Sequence, residues 1–173
     1  KIFEMICAFF DLIYQLPPMW ALLEPKQPRC PSCQGRLRLT RVHMGSMLES
    51  ESGARYKVFR NIRTREVDPG LLETVFVVGF KFARLSFKAN KLASFIPMLL
   101  IAGFPGFRQK IYAVNEQNGY WQGMYQWRSE AHLRAYLNCF VFRMMNRRAL
   151  EESISTRVYP GKTIEDVIKS CMP

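Results

Sequence analysis

The spacing of apolar and polar positions changes period several times along the chain, and each change marks an element. Residues 2–23, IFEMICAFFDLIYQLPPMWALL, are almost wholly apolar. Glu4, Asp11 and Gln15 recur at i, i+7 and i+11, which on a helix is one narrow polar stripe. Pro17 and Pro18 interrupt that helix after about fifteen residues, short of the ~20 that span a bilayer. It could lie in a membrane interface, dock onto the body of the protein or meet a partner subunit. A spanning helix would bury two carboxylates in hydrocarbon.

A Pro-punctuated stretch, EPKQPRCPSCQGRLRLTR, follows and enters a short basic strand-like run. Met44 to Arg55 is rich in Ser, Gly and Glu and reads as an exposed loop. RYKVFRNIRTREVDPG alternates basic residues with Tyr56, Val58, Phe59 and Ile62 and ends in an Asp68-Pro69-Gly70 turn. A soft domain boundary falls there.

Beyond it the pattern is more regular. LETVFVVGFKFA is β-branched and aromatic, a mostly buried strand. SFKANKLASFIPMLLIAGF places Leu92, Phe95, Ile96, Leu99 and Gly103 at helix spacing, with a kink near Pro97. FRQKIYAV is a second strand and YWQGMYQW a third. NEQNG between them is a hairpin turn, Asn118-Gly119 favouring positive φ. Ser129 is an N-cap, and Leu133, Tyr136, Leu137, Phe140, Val141 and Met144 form one apolar stripe to about Asn146. SISTRVYPG is a fourth strand. The order βαββαβ predicts an α+β, ferredoxin-like unit: a four-stranded antiparallel sheet with two helices on one face. The chain thus divides into an apolar amphipathic helix (1–25), a basic linker with a C-x-x-C (26–70), the folded domain (71–161) and a C-terminal tail (162–173).

With 173 residues, 49% of them apolar, the chain can bury a sizeable core. Its net charge of +11 is uneven. Lys26 to Arg65 holds ten Lys/Arg against two acids, while Lys1 to Pro25 holds one against three. Such a segment suits anionic lipid, RNA or an acidic partner, or is a solvated surface. A nucleic-acid site would rest on charge with Tyr56 and Phe59 alone; no recognition module accompanies them, and none is expected.

Five cysteines, an odd number, make a poor disulfide framework and point to an intracellular, reducing compartment, peripheral to a membrane if the first 65 residues bind one. Cys30 and Cys33 in CPSCQG resemble half of a zinc knuckle, and a structural zinc needs four ligands. Walker, GxGxxG, GxSxG and HExxH motifs are all missing from the sequence.

The series PGF, NG, GMYQW, SEAHLRAYL and RVY resembles the dimeric α+β barrel superfamily, in particular the small monooxygenase-like branch related to antibiotic-biosynthesis monooxygenases, over about Leu71 to Gly161. The resemblance implies a homodimer paired sheet to sheet, with a pocket in each protomer between sheet and helices. Some members oxidise aromatic polyketides with neither metal nor flavin, others handle haem, and many have no known reaction. The resemblance gives no cofactor here. His132 sits where haem-handling relatives place an iron ligand, but the sequence carries too little around it, and haem is not expected.

Strand alternation adds candidates of its own. Trp121, Gly123, Tyr125 and Trp127 share one face of the third strand. Rings with a few convergent polar groups suit an apolar small-molecule pocket. Tyr125, Trp127, Lys110 and Arg157 are the candidate catalytic residues, a cation or hydroxyl there stabilising a substrate anion. Tyr112, Trp121 and Met124 are the candidate substrate contacts. The competing reading is that these rings pack the sheet against its helices or against a dimer partner. The sequence is that of either a monooxygenase-like enzyme for a small hydrophobic or aromatic compound, or a non-catalytic structural subunit of a larger, membrane-associated complex.

Overall fold

The computed structural model describes residues 37–50, 52–64, 73–83 and 86–171. The apolar segment 2–23 and the Cys30/Cys33 pair lie outside them. In order, the elements are β1 (Leu37–Leu39), β2 (Met47–Glu49), β3 (Arg55–Thr64), β4 (Thr74–Lys81), α1 (Phe87–Ala93), α2 (Phe95–Ala102), β5 (Phe107–Val114), β6 (Tyr120–Trp127), α3 (Glu130–Leu137), α4 (Phe140–Asn146), β7 (Ser155–Pro160) and α5 (Ile164–Cys171).

The expected βαββαβ core is present as β4 to β7, with spatial order β5-β6-β4-β7 and antiparallel pairing throughout. The sheet is nevertheless seven-stranded, not four-stranded. β3 pairs with β5 on the flank a four-stranded unit would leave open, and β1 and β2 pair with β3. These three strands come from the segment expected as a basic linker. Residues 44–55, read as an exposed loop, contain β2, where Leu48 is buried.

Each expected helix is a pair of short ones. The first breaks at Ser94, not at Pro97. Ser94 turns its hydroxyl back to the Lys91 carbonyl at 2.7 Å, while Pro97 sits in the first turn of α2, where a missing N–H costs nothing. The second breaks at Cys139, whose backbone is extended (φ −80°, ψ 164°). The segment expected as a tail forms α5.

The sheet is covered on both faces. Phe76, Val78 and Phe80 of β4 alternate with Val75 and Val77. The first set packs with Tyr125 and Trp127 against Met98 and Ile101 of α2, Leu133 and Tyr136 of α3 and Val141 of α4. The second packs with Ile111 and Met124 against Ile164, Val167 and Ile168 of α5. Burial on both faces is why β4 reads as a continuous apolar run rather than an alternating one. The Gln126 side chain holds α5 in place, accepting from the Ile164 N–H at 2.9 Å and donating to Glu73 at 2.5 Å. His43 meets the Glu165 carboxylate at 2.9 Å.

Candidate functional site

The helix-side face of β5 and β6 brings most of the candidate side chains together. Cross-strand pairing sets Lys110 opposite Tyr125 and Tyr112 opposite Gly123. Gly123 leaves the space that the Tyr125 ring fills: a Cβ there would lie 2.8 Å from Tyr125 Cε2. The Lys110 ammonium group is consequently held between two rings, 4.0 Å from the centroid of Tyr112 and 4.2 Å from that of Tyr125. These side chains line a cavity of about 30 Å³ together with Phe80, Trp121, Ser94 and Arg148.

Lys110 is 2% exposed, and no carboxylate pairs with it among the described residues. Burial, and secondarily the nearby Arg60, hold its amine well below the ordinary lysine range. Burial likewise pushes the Tyr112 and Tyr125 hydroxyls up, so neither ionises readily. The Tyr112 hydroxyl is buried with no hydrogen-bond partner. The site therefore offers an amine that sheds its proton easily, beside a hydroxyl free to donate.

The other candidates divide. Trp121 lines the cavity, and its ring is flanked edge-on by Phe59 and Phe82. Trp127 is fully buried and stacks on Tyr136 (centroids 4.9 Å, 28° between planes), so it supports the cavity from behind without lining it. Arg157 and Met124 are not brought to the site. Arg157 pairs with Val77 on exposed β7, and Met124 faces the α5 side. The odd–even alternation puts both on the face opposite the cavity. His132 bonds Ser129 through Nδ1 at 2.8 Å and packs over Gly106 at the start of α3. Among the described residues no group of three His, Cys, Asp or Glu could hold a metal ion, and no helix is long and apolar enough to cross a membrane.

Among the residues of the site not singled out in the sequence are two arginines. Arg60 of β3 faces Tyr112 across the strand pair, its guanidinium 3.8 Å over the Phe95 ring and 5.3 Å from the Tyr112 ring, with Nη1 donating to Ser94 at 2.8 Å. Arg148, just beyond α4, lies over Phe82 and donates to Asn90 at 3.3 Å. The only signal for Arg60 was its place in an alternating run, and nothing local told that run from a solvated one.

No curated protein matches the chain. A solved structure described as "Crystal structure study of anthrone oxidase-like protein" is similar at 14% identity and a TM-score of 0.39, over 62% of this chain and 52% of that one. The chain thus spans about half the length of that structure. Residues 76–162, just over half of the 173, match the family described as "Putative mono-oxygenase ydhR", from β4 through β7 and including Lys110, Tyr112 and Tyr125. The chain belongs to that mono-oxygenase family.

Proposed function

We propose that the protein is a monooxygenase-like enzyme that binds and oxidises a small hydrophobic or aromatic compound without a bound cofactor. The observation that carries this reading is Lys110 on the cavity wall, desolvated between two tyrosine rings with no carboxylate partner. An amine so placed is a general base for an acidic C–H or O–H of the substrate. Once it has taken the proton, its ammonium faces the anion it has made, and a low-dielectric site strengthens that attraction. The anion supplies the electrons to dioxygen. Overall a substrate methylene and dioxygen give a carbonyl and water: one oxygen atom enters the product and the other leaves with both hydrogens.

The cavity holds about 30 Å³, room for little more than a water. A ring needs more room than this, and it would have to enter by a swing of α1 and α2 about their joint at Ser94, which lines the cavity with Pro97. Oxygen uptake with an enolisable aromatic ketone tests the reading. Lys110→Met is expected to lower the rate by about a hundredfold or more. An unchanged rate in the folded variant would remove Lys110 as the base.

A second reading, a structural subunit, draws on a separate observation. Leu39, Val42, Met44 and Met47 are exposed together around β1 and β2, next to Arg38 and Arg41. That strip is where a partner subunit or a membrane surface would meet the chain. Ketone-independent retention in a complex, lost when these side chains become polar, would favour it.

A further inference from the structure

Four basic side chains surround the aromatic wall of the cavity. Lys110 and Arg148 line it, Arg60 lies beside Tyr112, and the Lys91 ammonium stands 4.9 Å from the Phe59 ring. None of the four is paired with a carboxylate among the described residues, although Arg55, Arg108 and Arg134 elsewhere each meet a Glu. Their partners are neutral: Ser94, the Lys91 carbonyl and Met98 for Arg60, Asn90 for Arg148, and ring faces for the rest. Arg60 and Lys110 are 7% and 2% exposed, so water screens them poorly. Buried positive charge without a counter-charge is costly, both the charge Arg60 carries and the one Lys110 gains on taking the ligand's proton, and a bound negative group removes that cost. A neutral ligand of the same shape leaves it in place. The buried, unpartnered Tyr112 hydroxyl adds a donor that an oxyanion accepts from.

We infer that the cavity takes its ligand as an organic oxyanion, the ionised hydroxyl of an acidic phenol or enol, with the oxygen set against Lys110 and Arg148 and the ring against Tyr112, Tyr125 and Trp121. This rests on the reading of the cavity as a substrate site. It adds that charge is the main selector. It also gives Arg60, which lies outside the family-matched residues 76–162, a share in the selection.

The test compares 4-nitrophenol with 4-nitroanisole, which differ by one methyl and in whether an oxyanion can form. Binding is followed by quenching of tryptophan emission, and the ionisation of bound nitrophenol by its yellow phenolate absorption. Nitrophenol should bind at least about tenfold more tightly than nitroanisole. It should also be phenolate when bound at a pH about one unit below its solution pKa. Lys110→Met and Arg148→Met should each reduce that preference, and the wild-type comparison stands if either fails to fold. Equal affinity for the two probes, binding of nitrophenol in its colourless neutral form, or binding of neither would overturn the inference. Selective phenolate binding without oxygen uptake would keep it and remove the oxygenation reading. Oxygen uptake with equal binding of both probes would do the reverse.

Discussion

At the residue scale the molecule turns on one lysine. Lys110 is buried against the ordinary preference of its side chain, and the two rings around it offset only part of the loss of water. Its amine titrates lower in the folded chain than in the unfolded one. The unfolded chain therefore binds more protons between those two values, and stability rises with pH across that window. Lys110→Met keeps the volume and removes the charge. It should raise Tm at neutral pH by at least about 2 °C. The advantage should shrink as pH approaches the ordinary lysine value of about 10.4. A pH series of thermal melts checks this, and an advantage that stays flat with pH would contradict the burial account. Lys110 was legible as a candidate because strand alternation put it beside Tyr112 on one face. Arg157 was not separable from it, because period-two spacing gives the parity of a strand and not which parity meets the helices, whereas Met124 alternates with Tyr125 and its parity already set it on the other face.

At the scale of elements, strongly patterned pieces were legible and pieces held by distant partners were not. VFVVGF in β4 and YWQGMYQW in β6 carry their own strand signal. Ser129 stands at the N-cap of α3 as its residue type suggests, with its hydroxyl on the His132 ring. β3 is different. Its partner β5 lies more than forty residues away, and its basic alternation resembles that of a solvated segment. α5 is an eight-residue helix whose place depends on Gln126 and on the apolar face beneath it. Val167 is 2% exposed in that contact. Val167→Asp should lift α5 at a cost of about 3 kcal/mol. Amide exchange in β4 and β6 and uptake of a hydrophobic dye should both rise, with nitrophenol affinity unchanged because the cavity lies across the sheet. Unaltered exchange would mean that α5 contributes little to covering that face.

At the scale of the whole molecule, one sheet joins a family core to strands and a helix from outside it. The family-matched residues 76–162 contain Lys110, Tyr112 and Tyr125, while β1, β2, β3 and α5 lie beyond them. A chain cut to 76–162 would uncover the hydrogen-bonding flank of β5 and the Ile111–Met124 face together. Open strand flanks over apolar surface drive association between chains. Light scattering should report aggregation of that fragment at concentrations where the full chain stays clear, and a monodisperse fragment would show that β3 and α5 are additions the core does not need.

The small volume between sheet and helices also has a meaning in time. If a ring enters by movement of α1 and α2, as proposed, it cannot be captured as fast as it diffuses, and helix movement would set a ceiling on the rate. In stopped-flow mixing, the observed rate should climb with ligand concentration and then level off. That plateau would be a direct measure of how often the Ser94 joint opens.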